Sequence, residues 1–109
     1  MVKEETKTDR MTTDDLSSLI LDTVDVKIEG IDKTFGVRPI TWKEDLDIDR
    51  AIMTMSFPEA RTESDIRISR ARERMRLILQ TSMVEPKMDR ETIERLPAGL
   101  VVALAKKIN

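Results

Sequence analysis

The ten residues Phe35-Gly36-Val37-Arg38-Pro39-Ile40-Thr41-Trp42-Lys43-Glu44 decide the fold, because the spacing of apolar residues changes within them. The apolar residues before Thr41 suit a short strand. From Thr41 onward, apolar residues recur at helical spacing. Thr41 and Glu44 match a capping box, in which a Thr and a Glu three residues later close the first helical turn. The stretch therefore predicts a strand that leads directly into a helix.

A second strand precedes this one. In residues 24–28, three aliphatic side chains alternate with charged ones, which is the pattern of a strand with one buried face. Residues 30–32 supply a turn, so residues 24–40 predict a β-hairpin, in which Pro39 marks either a sheet edge or the end of the returning strand. An isolated hairpin is only marginally stable, so this one must pack on helices or pair with another chain.

Helical spacing accounts for most of the remaining chain. The predicted helices cover residues 14–22, 41–55, 60–83 and 97–108, with a short turn at 90–95. The first helix carries Leu16, Leu19 and Ile20, and is too short to be stable without a partner surface. Thr13 or Asp14 is its expected cap. Pro97 is expected at the first position of the last helix, where its missing N–H does no harm.

The predicted fold class is α+β and mostly α, with an N-terminal β-hairpin packed on three to four helices. A length of 109 residues suits one domain. Residues 1–13 are polar and predict a disordered tail, which leaves residues 14–109 as a single small α+β domain.

The residue types present exclude several kinds of chemistry. The chain has neither Cys nor His, which excludes Cys nucleophiles, thiolate or His metal sites and Ser-His-Asp triads. The carboxylates of residues 44–49 lack the glycine of a calcium loop, and residues two apart on a helix do not converge. We interpret them as a solvated acidic face. No spacing marks an activated nucleophile. We therefore expect a binding protein without enzymatic activity, cofactor or metal.

The distribution of apolar residues also indicates where the protein acts. No stretch approaches the ~20 apolar residues of a membrane-spanning helix. Residues 1–10 lack the apolar core of a signal peptide. We therefore expect a soluble, intracellular protein that does not bind membranes.

Charge is distributed unevenly along the chain. Residues 1–50 hold 8 basic and 13 acidic side chains, whereas residues 51–109 hold 11 and 8, for a formal net charge of -2 overall. The two halves are therefore expected to attract each other, within one molecule or between copies. Residues 60–83 contain six arginines but no aromatic residue. This helix suits a salt-bridged surface or an acidic protein partner better than nucleic acid, which usually also requires stacking side chains.

Five apolar residues are candidates for contact with a partner protein. Each is also interpretable as a core residue, and replacement of the two leucines by Asp would distinguish the two roles. The candidates are Trp42, Ile68, Met75, Leu100 and Leu104.

Two stretches resemble a known family. One is the hairpin that enters a capped helix, Val26-Lys27-Ile28-x-Gly30 followed by Phe35-x-Val37-Arg38-Pro39-Ile40-Thr41-Trp42-Lys43-Glu44. The other runs from Leu79-x-x-Ser82-Met83-Val84-Glu85-Pro86-Lys87 to Ile93-x-x-Leu96-Pro97-Ala98-Gly99-Leu100-x-x-Ala103-Leu104. Over residues 24–105, this layout resembles the small tail assembly chaperones of tailed bacteriophages.

The resemblance implies a non-catalytic role. Such chaperones coat the tape-measure protein, keep its apolar helices soluble, recruit tail-tube subunits and are absent from the finished particle. It also implies action in the cytoplasm of an infected bacterial host. Two alternatives stay open. One is a structural tail or baseplate subunit that remains in the particle, and the other is a nucleic-acid-binding regulator that uses the Arg-rich helix 60–83.

Overall fold

The computed structural model describes residues 9–108, except the side chains of Ile20 and Leu21. This part of the chain contains five helices and a three-stranded antiparallel sheet, which confirms the predicted α+β, mostly α class. Of the predicted disordered tail, residues 1–8 lie outside the described residues. The elements are α1 (Thr13–Leu21), β1 (Val24–Val26), β2 (Phe35–Val37), α2 (Trp42–Thr54), α3 (Glu63–Ser82), β3 (Met83–Glu85), α4 (Arg90–Arg95) and α5 (Ala98–Ile108).

The start of α2 is the one predicted from the capping box. The Thr41 hydroxyl accepts a hydrogen bond from the Glu44 amide at 3.1 Å, and the Glu44 carboxylate accepts one from the Thr41 amide at 3.0 Å. Two orphan amides of the first turn are thereby satisfied. The helix then runs to Thr54.

Two other helix starts differ by one residue from the prediction. Helix α1 begins at Thr13, because Thr12 rather than Thr13 or Asp14 forms a capping box, with Asp15 as its partner. Helix α5 begins at Ala98, and Pro97 precedes its first turn and accepts hydrogen bonds there through its carbonyl. Helix ends fray over one or two residues, so both starts agree with the predicted helices.

The predicted hairpin is present but its strands are short. Strands β1 and β2 pair antiparallel, with Val24 opposite Val37 and Val26 opposite Phe35. Gly30 lies in the connecting turn with a φ of 88°, a left-handed conformation that glycine adopts without strain. The hairpin therefore has the predicted topology, with three residues in each strand instead of the longer runs expected.

The third strand was not predicted. Residues 83–85 follow α3 without a loop and pair with β2, so the sheet order is β1-β2-β3 and β2 is central. Helical spacing continues to Met83, and no Gly or Pro separates the helix from the strand. Only the pairing with β2, a contact across more than 40 residues of sequence, turns this segment into a strand.

The main core lies between the sheet, α3 and α5. Leu79, Met83 and Leu104 supply its most deeply buried large side chains. Burial of each is worth roughly 1.5–3 kcal/mol. A second, smaller cluster of Ile48, Ile52 and Ile78 packs α2 against α3. These two clusters place α2, α3 and α5 side by side.

Two parts of the chain extend beyond this core. Every described side chain of α1 is exposed. The first ten residues of α3 likewise contain no buried side chain, although the predicted apolar stripe runs through them. Burial on α3 begins only at Ile78, where α2 and α5 cover the helix. Among residues 9–108, no helix has the length and apolar character needed to cross a membrane.

Candidate functional site

A network centred on Arg38 sets the position of α2. Its guanidinium donates two parallel hydrogen bonds to the Glu44 carboxylate, at 2.8 and 2.7 Å, and a third at 3.0 Å to the Thr81 carbonyl near the end of α3. The Arg38 amide also donates to the Ser82 carbonyl at 2.8 Å. Arg38 therefore joins the first turn of α2 to the last turn of α3, where carbonyls lack helical partners.

The same contacts determine the protonation of Glu44. The hydrogen bond from Arg38, together with those from Thr41, lowers the pKa of Glu44 to about 2. The carboxylate is therefore ionised at all but strongly acidic pH. Paired charges with this bidentate geometry are well oriented, so they define the angle at which α2 leaves the sheet.

A second ion-pair network joins α2 to the middle of α3. Arg74 donates to Asp45 at 2.6 Å and also to Asp49. These two acids belong to the run that we interpreted as a solvated acidic face. Both side chains remain about half exposed, as a solvated face requires, but they also bind Arg74. The sequence alone does not show that an arginine 29 residues away lies beside them.

Trp42 lies at the start of α2 and is 83% exposed. Leu46 and Met53 follow it at intervals of four and eleven residues, which places the three side chains on one face of the helix. Leu46 is exposed as well, and Met53 is 69% exposed. We call Trp42, Leu46 and Met53 the α2 row. Leu46 and Met53 were not among the predicted contact residues, although their spacing from Trp42 was visible in the sequence.

A shallow groove of about 540 Å³ adjoins the N-terminal half of the α2 row. Trp42, Leu46, Ile40 and Ile108 contribute apolar surface to its lining. Exposed apolar surfaces of this kind mark protein interaction sites more often than small-molecule sites when they are open and shallow.

A second groove, which we call the α3–α5 groove, lies between those two helices and measures about 410 Å³. Met75, a predicted contact residue, is half-buried within it. Ile68, another predicted contact residue, is exposed two helical turns earlier on the same face of α3. The lining residues are Ala71, Arg74, Met75, Ile78, Val102, Ala105 and Lys106.

The two predicted leucines lie in different environments. Leu104 is 0% exposed and packs within the main core, so the core interpretation applies to it. Leu100 is half-buried and lines a separate groove beside the hairpin, with Lys27 and Lys107 at its margins. The structure thus does not bring the five predicted residues together into one site.

Part of the Arg-rich helix is already occupied by internal ion pairs. Arg74 binds the two acids of α2, and Arg76 binds Glu73 and Gln80. Arg67, Arg70 and Arg72 make no ion pair with any residue in the range 9–108, and they lie on the half of α3 that extends beyond the core.

No family model, curated protein or solved structure matches this chain.

Proposed function

We propose that this protein is a tail assembly chaperone of a tailed bacteriophage, without catalytic activity, that acts in the cytoplasm of the infected host. In this role it binds apolar helical segments of the tape-measure protein and recruits tail-tube subunits during tail assembly. The observation that carries the proposal is the α2 row, in which the single Trp of the chain is 83% exposed on a helix.

An exposed Trp beside Leu and Met has the composition of an interaction hot spot. Trp is among the residues that contribute most to binding free energy, and Met adapts its shape to different apolar partners. Side chains at i, i+4 and i+11 span about three turns on one face of α2, with Asp49, paired to Arg74, between Leu46 and Met53. A long helical protein, such as a tape-measure protein, fits such a surface.

Residues of the stretch that resembles the chaperones hold the α2 row in position. Arg38, Thr41 and Glu44 fix the first turn of α2, and Trp42 is the first residue of that turn. The stretch that resembles the chaperones is thus the one that presents the exposed indole. This link between motif and surface supports the proposal.

The first test is a binding titration. The probe is a synthetic amphipathic helix taken from the tape-measure protein of the phage that encodes this chain. Because Trp42 is the only Trp and there is no Tyr, tryptophan fluorescence reports on the α2 row alone. We expect the emission to shift to shorter wavelength as the peptide covers the indole. Binding without any change at Trp42 would contradict the assignment of this surface.

A pair of matched variants locates the contact. Replacement of Leu46 and Met53 by Ala keeps Trp42 as the reporter, and we expect it to weaken binding at least about tenfold, because two apolar side chains of the interface are lost. Lys43 and Arg50 are exposed on the adjacent face of the same helix. Their double Ala variant serves as the control and is expected to bind like the wild type.

The second test separates a chaperone from a structural subunit. Quantitative mass spectrometry is applied to lysates of infected cells and to purified particles. A chaperone is expected to be abundant in the lysate and absent from the particles. A fixed copy number in the particles would overturn the chaperone proposal and identify a structural tail or baseplate subunit.

A further inference from the structure

We infer that helix α1 of one copy of this chain binds in the α3–α5 groove of a second copy, with Leu16 and Leu19 against the groove floor. This contact lies on a different surface from the α2 row, so it goes beyond the proposed binding of a tape-measure segment.

Helix α1 has the properties of a binding segment without its partner. Leu16 and Leu19 are 52% and 58% exposed, and their spacing of three residues places them on one face of the helix. A helix of nine residues is marginal in water even with good caps. The capping box at Thr12 defines where the helix starts, but burial of the two leucines has to come from another surface.

The α3–α5 groove has the complementary shape and polarity. Its floor is apolar and is formed by Ala71, Met75 and Ile78 from α3 together with Val102 and Ala105 from α5. A cleft between two helices accepts a third helix through two apolar side chains spaced by about one turn. On α3, the same face continues past the groove to the exposed Ile68.

Charge favours this pairing of surfaces. The first turn of α1 carries Asp14 and Asp15, and its last turn has no basic residue. The groove is bordered by Lys106 and by Arg74, whose charge is already shared with Asp45 and Asp49 of α2, and no acidic residue within the range 9–108 lines it. Arg67 lies one turn before Ala71 on α3 and adds positive charge at the end of the groove. An acidic amphipathic helix thus meets a basic apolar cleft.

Each copy presents one α1 and one groove, and its own α1 does not fill its own groove, since every described α1 side chain is exposed. Two copies therefore satisfy each other's unpaired surfaces. The chain is acidic in its first half and basic in its second, and this uneven charge also favours association of two copies.

The test compares two variants of the full chain by sedimentation velocity over a wide range of concentration. L16D/L19D disables the helix and V102D disables the groove. Both change exposed side chains, so both are expected to fold, and thermal melting followed by circular dichroism checks this. We expect the wild type to gain mass with concentration, and each variant to associate at least about tenfold more weakly.

Mixing the two variants gives the decisive result. L16D/L19D retains an intact groove and V102D an intact α1, so the equimolar mixture is expected to associate more strongly than either variant alone, through one α1–groove contact instead of the two of the wild-type pair. A71D, on the α3 side of the groove, provides a second groove variant that is expected to behave like V102D. The control S17D/S18D adds the same two charges to α1 off its leucine face and is expected to associate at least as strongly as the wild type.

Three outcomes would overturn the inference. A wild-type protein that stays monomeric at every concentration would show that α1 binds elsewhere or within its own chain. Unchanged association of the variants would place the contact on other residues. Failure of the mixture to associate would show that α1 and the groove do not bind each other. Because Trp42 reports on the α2 row, its fluorescence tests the proposed function separately from all three outcomes.

Discussion

The guanidinium of Arg38 and the carboxylate of Glu44 face each other through two parallel hydrogen bonds of 2.8 and 2.7 Å. The pair lies six residues apart, yet it connects three elements, because Arg38 also donates to the Thr81 carbonyl of α3. Both side chains are less than one-third exposed. This geometry explains why α2, and with it Trp42, leaves the sheet in one direction.

Loss of the Arg38 side chain is expected to destabilise the fold by about 2–3 kcal/mol, since hydrogen bonds to charged groups are strong and Glu44 loses its main partner. The check is urea denaturation of Arg38→Ala. Lys at this position makes no bidentate contact, so Arg38→Lys is expected to recover only part of the loss. The matched control is Arg90→Ala, which breaks an exposed pair with Glu94 and is expected to change stability by less than about 0.5 kcal/mol.

The dependence of stability on pH follows from the lowered pKa of Glu44. A carboxylate with a lower pKa in the folded state stabilises the protein above its unfolded pKa, and that contribution is lost as the pH falls. For Glu44 the loss is expected between its ordinary pKa of 4.5 and about 2. Urea denaturation at a series of pH values should therefore show stability that falls across this window.

Glu44→Gln is the matched variant for the pH experiment. It is expected to be less stable than the wild type at pH 7 and to show a shallower fall in stability below pH 4.5. The hydrogen bond from the Thr92 amide also lowers the pKa of Asp89, but this contribution is common to both proteins and cancels in the comparison. Parallel pH curves for the two proteins would show that Glu44 is not the group responsible.

Leu100 and Leu104 are expected to respond differently to truncation. Leu104 is fully buried, so Leu104→Ala should cost about 2–5 kcal/mol through lost burial and the cavity left behind. Leu100 is half-buried at the edge of a groove, so Leu100→Ala should cost about half as much. Equal losses, measured by urea denaturation, would contradict the burial difference seen between the two side chains.

Ser82 offers a site where a substitution is expected to increase stability. Its hydroxyl is fully buried and has no hydrogen-bond partner among the described residues. A buried polar group without a partner costs free energy, so Ser82→Ala is expected to stabilise the protein by about 1 kcal/mol. A clear loss of thermal stability in this variant would show that the hydroxyl has a partner, such as an ordered water.

Replacement by Ala is expected to change the stability of the protein in opposite directions at two glycines. Gly30 has a φ of 88°, where a side chain is strained, so Gly30→Ala should destabilise the hairpin by about 1 kcal/mol. Gly99 lies in α5 with open space where a Cβ would stand, so Gly99→Ala should stabilise that helix by about 0.5–1 kcal/mol. Thermal melting of the two variants measures these changes. A shift of the melting temperature in the same direction for both would contradict the backbone conformations described for Gly30 and Gly99.

The sequence by itself determined the elements that depend on nearby residues. The hairpin follows from alternation in residues 24–28 and a turn at Gly30, and the start of α2 follows from Thr41 and Glu44. These features rest on side-chain periodicity and on hydrogen bonds that span a few residues, so they are readable without the rest of the fold.

The tertiary structure alone decided the features that depend on distant contacts. It made residues 83–85 a strand, because β2 is there to pair with them, and it gave Arg38 the carbonyl of Thr81. It also separated Trp42, which lies on the surface, from Leu104, which lies in the core. Both residues are apolar and lie in predicted helices, so the sequence does not distinguish them. Their burial differs because α3 and the sheet cover the face of α5 that carries Leu104, whereas no described residue in the range 9–108 covers Trp42 on α2.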